Sequence, residues 1–194
     1  SAKMRVERVR NALISADLSA FTQQLAALNQ KVQQSRADVI SKLSDIVKLS
    51  FKHPEISLIP YGSYETGLLT PFSDVDLAIQ GCQTIDKSEA IRVLELLDYN
   101  LKLSDFVVKT TLILTSTVPL LKIDCTGEAK DTNGSNPTII KVDIIVNLNE
   151  DGGIENSALR TTSYLHKSIS TFRSFFTNVL VFKVILNYAG LSNS

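Results

Sequence analysis

From residue 4 to about residue 50, apolar side chains recur three and four positions apart. Leu18, Phe21, Leu25, Leu28 and Val32 form one stretch of this stripe, and Val39, Leu43, Ile46 and Val47 continue it. That period predicts amphipathic helix. Asp17 or Ser19 would cap a long helix after a short first one, with a break near Ser35. The opposite face, with Gln23, Gln24, Gln30, Lys31, Gln33 and Gln34, is a solvated one.

After His53-Pro54 the period changes. Ile56–Tyr61 and Val75–Ile79 read as short strands, separated by the loop-like "GSYETGLLTPFSD". Ser88–Asn100 returns to helical spacing through Ile91, Leu94, Leu96 and Leu97. Three strands rich in β-branched residues follow, at Phe106–Leu114, Val118–Ile123 and Ile139–Val146. The polar stretch Thr126–Pro137 reads as a hairpin tip, and no helix follows it to make a phosphate-binding loop. From Asn156 onward the chain is helical again, and Phe172–Ala189 is nearly all apolar. Helices, then a small mixed sheet with one helix, then helices predict an α+β palm. Its flanking helices would belong to a partial second, helical domain. The expected division is 1–35 helical, 36–150 palm and 151–194 the resumption of the helical unit.

Composition narrows the function classes. The chain has 194 residues, 44% of them apolar, enough for one full core and part of another. Twenty basic residues balance twenty acidic ones. A broad nucleic-acid footprint usually carries a basic excess, so any grip on nucleic acid is local or lies elsewhere, as on a protein partner. Cys82 and Cys125 have no ligand-like spacing and read as buried, reduced thiols of an intracellular protein, of nucleus or cytoplasm. No apolar run reaches the roughly 20 residues of a membrane span. His53 and His166 stand alone, and no Ser/His/Asp or Cys/His arrangement supports covalent catalysis.

The chemistry concentrates in "YGSYETGLLTPFSDVDLAI". Asp74-Val75-Asp76 opens a strand, so the two carboxylates share a face while Val75 points to the core. Carboxylates so placed repel each other unless a cation lies between them, and Mg²⁺ suits such oxygen donors. Asp143, inside the apolar "IIKVDIIVN", would be costly if ionised and unpaired. Its natural compensation is the same site, where three carboxylates could hold two divalent ions about 4 Å apart for phosphoryl transfer. Gly62 lets backbone approach a phosphate, and Ser63 can donate to it. Lys183, set in an apolar helix, either snorkels to water or meets an anion. Lys122 reads as structural.

These residues bring a family into view. Gly62-Ser63, ten intervening residues and then Asp-hydrophobic-Asp resemble the DNA polymerase β-like nucleotidyltransferases. "GSYETGLLTPFSDVDLAI" resembles their poly(A) polymerase and terminal uridylyltransferase group, as do "VPLLKID" at Val118–Asp124 and "FFTNVLVFKVILNYAGL". The resemblance implies a template-independent RNA 3′-terminal nucleotidyltransferase using ATP or UTP and two Mg²⁺ (or Mn²⁺) ions. In that pattern Asp74 and Asp76 bind both metals, and Asp143 the one that activates the RNA 3′-hydroxyl. Ser63 and Lys183 hold the triphosphate, while Asn156 and Ser157 contact sugar and base. Asn187 stands where the family often has a second lysine. The chain ends where the family continues into a Gly-Gly-hydrophobic-Ser-Ser-Tyr segment, so a truncated helical domain is expected. Two other readings stay open: a nucleotidyltransferase with a small-molecule or oligonucleotide acceptor, and a catalytically weak nucleotide-binding subunit of an RNA-processing complex.

Overall fold

A computed structural model of the chain describes residues 2–82, 86–130, 137–147, 157–171 and 173–190. Helix α1 (Ala2–Phe51) is a single run of 50 residues. No Gly or Pro occurs before Pro54, so nothing in the backbone interrupts it. The break expected at Ser35 is absent because Ser35 and Arg36 are buried, their polar groups turned inward rather than out to a solvated kink. The helix stops where Lys52 takes a left-handed φ of 48°, just before a residue that Pro54 keeps out of the helical region.

Beyond it lie β1 (Ser57–Tyr61), a single turn α2 (Gly62–Glu65), β2 (Val75–Gln80) and α3 (Lys87–Leu101). Asp86 caps α3 by accepting from the Glu89 amide at 2.9 Å. Then come β3 (Val107–Ile113), β4 (Leu120–Lys130), β5 (Pro137–Val146), α4 (Ser157–Thr171) and α5 (Arg173–Tyr188). β4 runs well past the expected Ile123, because Asp124, Cys125 and Thr126 pair with Lys141, Ile140 and Ile139 of β5, and Lys130 with Pro137 beyond an irregularity.

The strands form one mixed sheet in the order β1-β2-β5-β4-β3. Only β2 and β5 are parallel. Alternation splits the sheet into two faces. On one, Val75, Leu77, Ile79, Leu121, Ile123, Val142 and Ile144 pack under Val39, Leu43 and Val47 of α1 and Leu94, Leu97 and Leu101 of α3. Each fully buried aliphatic side chain there is worth about 1.5–3 kcal/mol. The other face carries a smaller cluster, Tyr61, Ala78 and Ile145, and leaves room beside it. A third cluster lies apart from the sheet, where Leu25 and Phe21 of α1 meet Phe176, Leu180 and Val184 of α5. Leu28, on the expected stripe of α1, is 43% exposed. Among the described residues no helix is long and apolar enough to cross a membrane.

Candidate active site

The open face of the sheet carries a row fixed by strand register. Tyr61 pairs with Asp76, Asp76 with Asp143, Asp143 with Lys122, and Lys122 with Thr111. Register partners project to the same side of a sheet. Asp76 and Asp143 are therefore neighbours on parallel strands, and Asp74 lies one side-chain repeat back, just ahead of β2. All three line one cavity of about 400 Å³ together with Ser63, Phe72 and Lys183. Phe72 meets Tyr188 of α5 edge to face, their ring centres 6.2 Å apart, at the rim.

The electrostatics show what holds these acids. Burial first, then Asp143 and Asp74, push the Asp76 carboxyl up to about 6, while the Ser63 amide donates to it and pulls the other way. Burial and Asp143 also raise Asp74. Asp143 itself is met by Lys122, whose Nζ donates to Oδ2 at 2.9 Å. Burial alone would lower the Lys122 ammonium, but the bond to Asp143 and the field of Asp74 and Asp76 leave it raised. Lys122 is thus a member of the site rather than a framework residue.

The donors suit a divalent cation in type and in their place on adjacent strands. They are not a closed cage, since among the described residues no three such groups surround a common point. An ion that keeps phosphate oxygens among its ligands needs no complete protein cage.

On the β1 side of the carboxylates stands a second group. Gly62 has a left-handed φ of +64°, and a Cβ there would overlap the carboxylate of Asp76. Its amide donates to Thr162 Oγ1 of α4 at 2.8 Å. Lys183 does not snorkel to water. Its Nζ donates to Ser63 Oγ at 2.6 Å and to Leu68 O at 3.0 Å. Burial lowers its ammonium and Asp76 offsets part of that. Gly62, Ser63, Asp74, Asp76, Asp143 and Lys183 are brought together. Asn156 lies outside the described residues. Ser157 opens α4, but its side chain lies outside them as well.

Sequence reasoning missed Thr162 and Arg36. Arg36 is 1% exposed, and its Nη2 donates to Thr70 O at 2.8 Å and Ser73 O at 3.0 Å. A signal existed. Val32, Arg36, Val39 and Leu43 follow one helical stripe, and a charge on that stripe is out of place. Thr162 gave no such signal, being one hydroxyl among several in "RTTSYLHKSIST".

Solved structures share this fold. A chain of the GLD-2/RNP-8 complex matches 94% of this chain and 57% of its own, with a TM-score of 0.74 at 21% identity. The polymerase core of TRAMP, an RNA surveillance complex, matches 91% and 48% with a TM-score of 0.67 at 20% identity. The Cid1 poly(U) polymerase, in its MgGTP-bound structure, matches 82% and 43% with a TM-score of 0.59 at 19% identity. At such identities the likeness is one of fold, and the chain spans about half the length of these polymerases. Comparison with curated proteins gives no match. The model of the family described as "Poly(A) RNA polymerase, mitochondrial-like, central palm domain" matches residues 14–163, most of the chain. The chain therefore belongs to that family, and its sheet is the family's palm.

Proposed function

We propose that the chain is the catalytic palm of an RNA 3′-terminal nucleotidyltransferase, which adds nucleotides from ATP or UTP to an RNA 3′-hydroxyl. One observation carries this reading: Asp76 and Asp143 register on parallel strands, beside Asp74, with Lys183 in the cavity they line and Lys109, Lys122 and Lys141 in a second cavity that Asp74 and Asp143 also line. Asp74, Asp76 and Asp143 would hold two Mg²⁺ or Mn²⁺ ions, which when bound neutralise the triphosphate and make the attacking hydroxyl more acidic. The MgGTP of the Cid1 structure accords with that.

On one side, Ser63 Oγ and Lys183 Nζ are placed to hold the triphosphate tail, with the left-handed Gly62 giving it close approach. In-line displacement puts the acceptor opposite the departing pyrophosphate. That is the β4 side, where Lys109, Lys122 and Lys141 line a second cavity with Asp74 and Asp143. Three lysines beside the attack position suit a polyanionic acceptor better than a small molecule. Asn156 and Ser157 are kept as sugar and base contacts on the strength of the family resemblance alone.

The even charge suits a protein partner that supplies more of the RNA grip, as the named assemblies GLD-2/RNP-8 and TRAMP suggest by analogy. The cluster joining Leu25 to Leu180 and Val184 supports grouping 1–35 with 151–194 as a helical unit around a palm at 36–150. The test is incubation with labelled ATP or UTP and a short oligoribonucleotide. Extension by the wild type is expected, falling to background in Asp74→Asn, Asp76→Asn and Asp143→Asn variants that keep the wild-type circular dichroism. Near-normal extension by any of the three would remove that residue from the site.

A further inference from the structure

Asp76 and Asp143 are held by strand ladders, but Asp74 is not. β2 begins at Val75, so the peptide carrying Asp74 lies outside the sheet, at the end of residues 68–73. That segment is pinned from outside. Lys183 Nζ takes Leu68 O at 3.0 Å, Asn29 Nδ2 takes Leu69 O at 2.5 Å, and Arg36 Nη2 takes both Thr70 O and Ser73 O. Within the segment the Ser73 amide donates to Thr70 O at 3.1 Å, and the Thr70 amide to Ser73 Oγ at 2.9 Å. Arg36 therefore closes this turn at its first and last carbonyls with a single nitrogen.

The cost of that arrangement is informative. Arg36 sits on the apolar stripe of α1, and its Nη1 has no hydrogen-bond partner among the described residues. Taking a guanidinium out of water is costly, and two bonds to carbonyl oxygens offset only part of that cost. One of its two bonds ends at Ser73, the residue immediately before Asp74.

We propose that Arg36 is a positioning residue for the carboxylate site: by clamping the Thr70–Ser73 turn it fixes the peptide from which Asp74 reaches toward Asp143. This rests on the reading of Asp74 as a metal ligand. Without the clamp the turn keeps its internal bonds but loses its anchor to α1, and Asp74 loses its fixed direction. Groups that orient metal ligands commonly change affinity or activity by about 10–100-fold when removed.

The test uses Arg36→Met and Arg36→Lys in the whole chain, with Mn²⁺ alone as the probe and electron paramagnetic resonance reading the free ion. R36M is expected to weaken Mn²⁺ binding by about tenfold or more, with R36K between it and the wild type. The Mg²⁺ needed for half-maximal RNA extension should rise by the same factor, while KM for the nucleotide at saturating Mg²⁺ stays within about twofold. A purely structural arginine would lower the melting temperature and leave the Mn²⁺ constant of folded protein unmoved, and that result overturns the proposal. Should R36M fail to fold, R36K decides: weaker Mn²⁺ binding than wild type upholds the clamp, and equal binding overturns it. If the wild type binds Mn²⁺ yet extends no RNA, the transferase reading falls while the Mn²⁺ constants still decide the role of Arg36. If the wild type extends RNA and folded R36M does so at the same Mg²⁺, only the clamp falls.

Discussion

Asp76 concentrates the conflict of the site in one residue, because it is buried and faces two other acids. Its folded pKa of about 6 lies above the ordinary value of 3.8. A carboxyl shifted this way favours the fold while protonated, so its contribution is whole below about 3.8 and is lost as pH rises through about 6. In metal-free protein the melting temperature of Asp76→Asn should therefore gain on that of wild type between pH 5 and pH 7.5. Mg²⁺ should raise the wild-type value more at pH 7.5 than at pH 5. Scanning fluorimetry across that range checks both, and a gap independent of pH would refute the assignment. Gly62 is the second residue with no slack. Gly62→Ala forces a left-handed alanine against the Asp76 carboxylate and should cost about 1–3 kcal/mol in urea unfolding, with extension lost as well.

At the scale of elements, the sheet's helix-covered face is the frame that keeps the strands in register. Leu43 of α1 is fully buried there, and Leu43→Ala should cost about 2–5 kcal/mol by calorimetry or urea titration. This level was the most legible in sequence. The helical stripe of α1, the alternation in β2 and the lone Asp143 inside β5 all follow from period and burial, which short windows reveal. Two features were not legible for a physical reason. Ser35 reads as a helix weak point locally, yet burial of Ser35 and Arg36 overrides it. The far half of β4 reads as loop because its residues are polar, yet its backbone pairs with β5, and pairing is a property of two segments at once. The same limit hid Thr162, whose partner Gly62 lies a hundred positions away.

At the scale of the whole molecule, α5 touches the palm through Lys183 and touches α1 through Leu180 and Val184. The proposed triphosphate grip would therefore be shared between sheet and helices. Lys183→Ala should raise KM for the nucleotide about tenfold or more, the loss expected of a charged hydrogen bond, and steady-state kinetics with labelled nucleotide would show it. An unchanged KM would return Lys183 to a packing role. The pairing of β2 with β5 has one more consequence, which concerns biosynthesis. These strands are spatial neighbours, but α3, β3 and β4 are made between them. A ribosome-bound nascent chain that has emerged only as far as β2 displays the glycine-serine bend and two acids with no third to complete them. If the three acids hold ions as proposed, capture would await β5, and long-range pairing of this kind is slow to form. On the proposed function, an unfinished polypeptide would thereby be kept from acting on RNA before its sheet is whole.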